Sequence, residues 1–157
     1  MFSLFTFASN SLRNIELGVQ HRLWAVSTLA NQQSMASRVG RARNNLRPGA
    51  YGVLYCGPTH SFTTPFLVES FADPDRVVID IWPEAWRLPF KIKPLGSPAR
   101  QLHMSEAAER WPALRERMKR VRGGGVTTAF NMTGAVVFSP VAITAEDWGI
   151  ICHDLAH

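Results

Sequence analysis

Four strand-like apolar runs follow one another at short spacing through the middle of this 157-residue chain. They cover residues 51–56, 62–71, 77–82 and 88–95. Turn residues separate them, namely Gly57-Pro58, Asp73-Pro74-Asp75 and Pro83-Glu84. A parallel crossover between two strands needs about a dozen residues or more, so these neighbours must pair mostly antiparallel. The spacing therefore predicts a small, curved, mostly antiparallel sheet.

Segments before the four runs add a strand and two short helical pieces. The first clear strand covers 21–27, and Asn10 or Ser11 is placed to cap a short helix ahead of it. Residues 41–46 form a helical turn that Pro48-Gly49 ends. The apolar residues near the start of the chain, which are Leu4, Phe5 and Phe7, are expected to lie back on the core.

Segments after the four runs supply further helices. Ser105 is predicted to cap a helix over 106–121, and Thr144 to cap a last helix. Residues 126–130 and 135–138 are strand candidates. Together with the earlier elements they predict an α+β fold, a small, curved, mostly antiparallel β-barrel flanked by helices, in a single domain over residues 1–157.

The charge of the chain points to an anionic partner. Seventeen Lys and Arg residues stand against twelve Asp and Glu residues, which gives a net charge of +5. Nucleic acid is the simplest polyanion for such a protein to bind, although many basic proteins bind none. Charge by itself leaves both readings open.

The sequence lacks the motifs of the common enzyme and cofactor sites. Gly123-Gly124-Gly125 has no following Lys and Ser/Thr, so it is read as a hinge after a helix rather than a phosphate-binding loop. The five histidines are scattered without the spacing of a metal clamp. Acidic pairs such as Glu146-Asp147 stand at helix starts, where capping explains them. We therefore expect no cofactor, no metal and no catalysis, although a triad assembled in space stays open.

Two further features concern the cellular compartment. Cys56 and Cys152 have no CxxC partner, so free thiols in a reducing cytoplasm are the simplest reading. The apolar stretch 1–10 lacks a basic segment before it and is too short for a membrane span. A cytoplasmic location is expected.

Tryptophans lie beside basic segments and could contact bases. Trp82 and Trp86 flank the turn at 83–85, and Trp24 stands in the first strand. Because Trp86 follows a proline turn and precedes Arg87, we expect its indole to be exposed. Trp24 and Trp82 are each explained as well by burial in the core. An exposed indole can stack on a base while arginines hold phosphates.

Five segments occur in an order that resembles a known group of domains. They are Arg-Leu-Trp-Ala-Val-Ser (22–27), Ala-Arg-Asn-Asn-Leu-Arg (42–47), Tyr-Gly-Val-Leu-Tyr-Cys-Gly (51–57), Phe-Leu-Val-Glu-Ser (66–70) and Trp-Arg-Leu-Pro-Phe-Lys-Ile-Lys-Pro-Leu (86–95). This order resembles the EVE domain and its relative the YTH domain, both of the PUA-like superfamily. The likeness covers about residues 21–95, and 130–155 is similar to the closing loop and helix of the YTH type.

The resemblance implies a domain that binds a modified, chiefly methylated, base flipped out of DNA or RNA into an aromatic pocket. Ser27 is similar to the serine that meets the flipped base, Asn44 to the pocket amide and Trp86 to a wall of the aromatic cage. The remaining ligand-binding residues implied are Thr28, Trp82, Trp24 and Tyr55, and the implied contacts to the nucleic-acid backbone are Arg41, Arg43, Arg47 and Arg87.

The chain also departs from the family pattern. Ala50-Tyr51 follows Gly49 where the family has an acidic residue, and Val26-Ser27-Thr28-Leu29 replaces a Lys-Ser-Glu-Pro run. No tryptophan lies in 31–40, where YTH domains place a cage residue. Two alternatives therefore stay open, a general RNA-binding PUA-like accessory domain and an ASCH-like enzyme that processes nucleosides. The resemblance also allows the chain to be the N-terminal, recognition part of a longer protein such as a modification-dependent restriction nuclease.

Overall fold

The computed structural model describes residues 1–27, 35–123, 125–134 and 136–157. In these ranges the strands are β1 (Phe2–Ser9), β2 (Leu23–Ser27), β3 (Tyr51–Cys56), β4 (Ser61–Val68), β5 (Val77–Val78), β6 (Trp86–Pro94), β7 (Gln101–His103) and β8 (Val141–Ile143). The helices are α1 (Leu12–His21), α2 (Met35–Asn45), α3 (Met104–Arg110), α4 (Pro112–Arg120), α5 (Val126–Ala129) and α6 (Ala145–Leu155).

The strands form one sheet in the order β2-β6-β4-β3-β1-β8, with β5 added to β6 and β7 to β4. Its pairings are antiparallel except that of β1 with β3, which is parallel. The α+β class and the mostly antiparallel sheet are thus confirmed. The predicted barrel is corrected, because within the described residues β2 and β8 end the sheet without pairing with each other.

Each face of the sheet is covered by its own apolar cluster. In β3, Leu54 and Cys56 belong to one cluster, together with residues of α1 and α2, and we call it the α2-side core. Val53 and Tyr55 belong to the other, together with residues of α3, α4, α5 and α6, and we call it the α6-side core. The alternation of side chains along a strand produces this division, since successive residues point to opposite faces.

The start of the chain contributes an unpredicted strand to the centre of the sheet. Leu4, Phe5 and Phe7 are buried, as expected. They lie in β1, whose register with β3 runs from Leu4 opposite Tyr51 to Ser9 opposite Cys56. No turn signal predicts this pairing, because the parallel partner of β1 is distant along the chain.

Three predicted elements are wrong in type or extent. The helix over 106–121 is two helices, α3 and α4, and Trp111 between them has extended backbone because the following Pro112 disfavours helical geometry there. Residues 126–129 form α5 rather than a strand. The strand over 77–82 is reduced to β5, while the unpredicted β7 and β8 pair with β4 and β1.

Helix caps account for several of the element boundaries. Ser11 caps α1 by accepting a hydrogen bond from the Asn14 N–H at 3.2 Å, as predicted. Thr144 caps α6 and exchanges hydrogen bonds with Asp147, a reciprocal capping box. The predicted cap of α3 moves, since His103 Nδ1 accepts from the Ser105 N–H. Residues 136–138, predicted as part of a strand, form turns, and Ala135 lies outside the described residues.

Gly52 offers a test of the packing at the centre of the sheet. A Cβ at this position would overlap the ring of Phe66, which is fully buried in the α2-side core. We expect Gly52→Ala to lower the free energy of unfolding by about 1–3 kcal/mol, since overpacking forces side chains off their rotamers. The matched control is Gly149→Ala in α6, where a Cβ meets nothing within 4 Å and helix propensity favours alanine by about 0.5–1 kcal/mol. Urea unfolding followed by tryptophan fluorescence measures both, and equal stability of the two variants would contradict the packing.

Candidate ligand-binding cavity

A bulge between β2 and β6 shapes the candidate site. Trp24 pairs with Phe90 and Val26 with Arg87, so β6 has one residue more than β2 across this step. The extra length falls at Leu88-Pro89, where Leu88 adopts left-handed backbone with φ 58° and the proline has no N–H to donate. Beyond the bulge, Trp86 at the start of β6 pairs with Ser27 at the end of β2.

An open cavity of about 510 Å³ lies beside this strand pair. The ends of β1 and β2, helix α2, the turn before β6 and the segment 132–137 border it. Its volume falls within the range of roughly 300–1,000 Å³ that is typical of small-ligand sites. The lining residues discussed below are Trp24, Ser27, Arg38, Glu84, Trp86 and Gly134.

Three tryptophans pack together at the apolar wall of the cavity. Trp82 and Trp86 stack with ring centroids 4.0 Å apart and planes 9° apart. Trp24 meets both edge-on, at 6.0 Å from Trp82 and 5.4 Å from Trp86. The prediction that Trp86 is exposed is wrong, since only 4% of its surface is accessible. The two neighbouring indoles bury it, an effect that the local sequence could not show.

The spacing of the stacked pair limits where a planar ligand can lie. Apolar atoms in contact are about 3.5–4.0 Å apart, and Trp82 and Trp86 already stand at that distance. A base therefore has no room between these two rings. Trp24 and Trp86 line the cavity, whereas Trp82 supports Trp86 from outside it.

A hydrogen-bonded chain of polar groups forms a second, polar wall of the cavity. Glu84 Oε1 accepts from Trp86 Nε1 at 3.1 Å and from Ser27 Oγ at 3.3 Å. Arg38 Nη1 donates to the Ser27 carbonyl at 3.4 Å, and Nε donates to the Gly134 carbonyl at 3.4 Å. An acceptor and a cationic donor thus flank Ser27. Such a wall suits a ligand edge that carries one donor and one acceptor.

Arg38 is an unusual group to find in such a wall. It is 4% exposed, and burial, followed by the nearby charge of Arg41, lowers its pKa. Arginine nevertheless stays protonated in proteins. Its two hydrogen bonds are long, and within the described part of the chain it forms no ion pair. A Cβ on Gly134 would lie 2.7 Å from Arg38 Nη2, so glycine leaves the guanidinium its space.

The residues that α2 turns towards the interior are not all those that the sequence motif indicated. Arg38, Arg41 and Asn45 follow helical spacing. They donate to the carbonyls of Gly134, Val137 and Phe138, respectively. Arg41 Nε donates to the Val137 carbonyl at 2.8 Å, while its Nη2 is buried with no acceptor among the described residues. Asn44, predicted to face the base, is exposed on α2 and does not line the cavity.

The other predicted residues divide between the cavity and distant surfaces. Ser27, Trp24 and Trp86 converge on the cavity. Tyr55 does not, since it lies in the α6-side core, donates to Met104 Sδ at 3.6 Å and has its pKa raised by burial and then by Cys56. Thr28 lies outside the described residues.

The predicted backbone-binding arginines other than Arg41 are exposed away from the cavity. Arg43 lines a small pocket of about 90 Å³ beside Phe71 and Leu88. The guanidinium of Arg47 lies 5.7 Å from the centre of the Phe71 ring. Arg87 is exposed on β6.

Arg38 and Glu84 are the site residues that sequence reasoning missed. Periodicity on α2 was the available signal for Arg38, because it stands three and seven residues before Arg41 and Asn45. Glu84 was assigned only to a turn. In the described part of the chain, no three His, Cys, Asp or Glu side chains gather as a metal site, and no helix is long and apolar enough to span a membrane.

Solved structures with the same architecture identify the fold. The crystal structure of the MmI1 YTH domain superposes with a TM-score of 0.54 at 12% identity, covering 96% of this chain and 92% of that one. The fold is that of a YTH domain. The Pho92 YTH domain in complex with m6A matches at TM-score 0.51 and 16% identity, over 73% of this chain and 70% of that one. No protein-family model matches the sequence and no curated protein is found as a relative.

A third YTH structure is that of the Zygosaccharomyces rouxii MRB1 protein in complex with N6-methyladenosine RNA. It matches at TM-score 0.50 and 20% identity, covering 71% of this chain and 68% of that one. The YTH half of the resemblance seen in the sequence is therefore supported at the level of fold.

Glu84→Ala tests the polar wall of this YTH fold. It removes the acceptor of the buried Trp86 Nε1, so we expect the free energy of unfolding to fall by about 1–3 kcal/mol. The control is Glu16→Ala on the exposed side of α1, where little change is expected. Urea unfolding measures both, and a Glu84→Ala variant as stable as the control would contradict the hydrogen-bond assignment.

Proposed function

We propose that this protein is a non-catalytic reader that binds a methylated base flipped out of RNA into the cavity. The observation that carries the proposal is the meeting of Trp24 and Trp86 with Glu84 and Arg38 at one cavity. The YTH fold supports it, because two of the YTH domains that share the fold are described in complex with m6A or N6-methyladenosine RNA.

The two walls divide the recognition between them. Trp86 and Trp24, which are 4% and 1% exposed, form an apolar wall of the cavity against which a base and its methyl group can pack. Contact of a base with an aromatic ring contributes about 1–3 kcal/mol. Glu84 accepts from a donor on the base edge, and Arg38 donates to an acceptor beside it. Extruding a base costs a few kcal/mol, which these contacts and backbone contacts offset.

We propose RNA rather than DNA because the YTH domain of the Zygosaccharomyces rouxii MRB1 protein, which shares this fold, is bound to N6-methyladenosine RNA. A reader of the EVE type, or the recognition part of a nuclease, would use the same cavity and remains within the proposal. The proposal also includes a cytoplasmic location.

A nucleoside-processing enzyme is the weaker candidate. Among the described residues that line the cavity, Glu84 is the carboxylate, and its Oε1 already accepts from Trp86 and Ser27. General acid and base chemistry needs a group free to exchange a proton with the substrate. With Oε1 held by two donors, Glu84 is proposed to accept from the base edge through Oε2.

Trp86→Ala tests the apolar wall. We expect it to lower the affinity for a methylated single-stranded RNA by roughly 5- to 100-fold, equivalent to the loss of about 1–3 kcal/mol of stacking. Its ratio of affinities for methylated and unmodified strands should fall towards one. Fluorescence anisotropy with paired oligonucleotides measures both quantities.

The matched control is Trp148→Ala, which removes an indole that stacks on Tyr51 at 4.6 Å on the opposite face of the sheet. It should leave the ratio unchanged. Circular dichroism and urea unfolding verify that both variants fold, and Trp86→Phe serves if the alanine variant does not. If Trp86 variants that fold keep the wild-type ratio, the base does not bind at this wall.

Arg38→Gln tests the charged donor. We expect roughly 10- to 100-fold weaker binding of the methylated strand, since hydrogen bonds to charged groups contribute about 1.5–3 kcal/mol. Arg43→Gln removes the same charge from an exposed position outside the cavity, so it should cost far less at moderate salt. Titration of both variants against the same strand measures the two affinities. An equal loss of affinity in both would show an effect of net charge instead.

A further inference from the structure

The basic charge of the chain is concentrated on two helices. Residues 115–122 carry five cations, Arg115, Arg117, Lys119, Arg120 and Arg122, and one carboxylate, Glu116. This segment of eight residues therefore has a net charge of +4, in a chain whose net charge is +5. Residues 38–47 carry four arginines and no carboxylate, so the remainder of the chain is net acidic.

The two basic segments use their side chains differently. In α2, Arg38 and Arg41 turn inward and bond carbonyls around the cavity. On α4 and the residues after it, Arg115, Lys119, Arg120 and Arg122 are exposed. Their ion pairing within the described residues is limited to Lys119 with Glu116 at 3.3 Å, a pair in which both side chains are largely exposed. Arg117 is half-buried and donates to the Ala129 carbonyl. The cations that face solvent with little carboxylate pairing are therefore Arg115, Lys119, Arg120 and Arg122.

The apolar side of α4 is already occupied. Leu114 is fully buried in the α6-side core, and Ala113 and Met118 pack against it. A helix that binds at a membrane surface needs an exposed apolar face beside its cations, and α4 presents its apolar residues to the core. Four of the five cations are arginines, whose planar guanidinium matches phosphate oxygens in a bidentate manner. This chemistry favours a phosphate backbone as the partner.

Helix α4 and the tryptophan wall of the cavity pack against different cores. Leu114 of α4 belongs to the α6-side core, whereas Trp24 and Trp86 at the cavity belong to the α2-side core. We therefore expect an RNA segment on α4 to be other than the nucleotide whose base enters the cavity.

We propose that residues 115–122 form a second nucleic-acid surface, which binds the phosphate backbone of single-stranded RNA without regard to sequence or methylation. The inference goes beyond the reader function, since it needs neither the cavity nor a modified base. Its contribution is electrostatic, so it must depend on salt in proportion to the number of phosphates neutralised.

The test is the triple variant Lys119→Gln, Arg120→Gln, Arg122→Gln in the full chain. Binding of an unmodified 20-nucleotide single-stranded RNA is followed by fluorescence anisotropy over a salt series. The slope of log K against log salt should become shallower by about 2, since each phosphate contact to a single strand contributes about 0.7. The ratio of affinities for methylated and unmodified strands should stay at its wild-type value.

The matched control removes the same charge elsewhere, through Arg76→Gln, Lys91→Gln and Lys93→Gln, all exposed outside the α4 segment. Its slope should stay close to the wild-type slope. Equal slopes for the two triple variants, or an α4 variant with the wild-type slope, would overturn the second surface. A third outcome would also overturn it. If the α4 variant binds RNA like the wild type but loses binding to phosphatidylserine vesicles, the partner of this surface is a membrane.

The outcomes separate this inference from the reader function. A wild-type methylation ratio in Trp86→Ala, together with a shallower slope in the α4 variant, leaves the second surface standing and removes the cavity reader. The reverse pattern removes the second surface alone.

Discussion

The position of β3 between β1 and β4 determines how the rest of this molecule is organised. Paired on both sides, β3 cannot face solvent along an edge, and helices cover both of its faces. Its alternating residues send Leu54 to one core and Tyr55 to the other. This division determines which side chains can pack against each other. The three clustered tryptophans are together because β2, β6 and the turn between β5 and β6 lie on one side of it.

Sequence reasoning succeeded where the signal is local. β3 was predicted at its observed bounds because turns isolate it, and Ser11 and Thr144 cap helices because capping depends on the next three residues. The break at Trp111 was also readable, since a proline follows it. The four residues of α5 were not, because a short apolar run has no clear period.

The candidate site was predicted in part, for the same reason. Ser27, Trp24 and Trp86 lie at one cavity, and their role in binding stays a prediction. The burial of Trp86 depends on Trp82 and Trp24 across the fold. On α2 the family motif drew attention to Arg43 and Asn44, whereas the helix turns Arg38, Arg41 and Asn45 inward. A motif marks which segment matters, and helical geometry decides which of its residues face the site.

The stacked tryptophans set a limit on what this wall can do. The indole nitrogen of Trp82 donates to the Asn14 carbonyl at 2.9 Å, and that of Trp86 to Glu84 at 3.1 Å. Each ring is thus fixed both by its face and by its nitrogen, so little side-chain entropy remains to be lost when a ligand arrives. A wall held this way is preorganised. A planar group that enters the cavity would have to fit the rings as they stand, so this wall would select by shape.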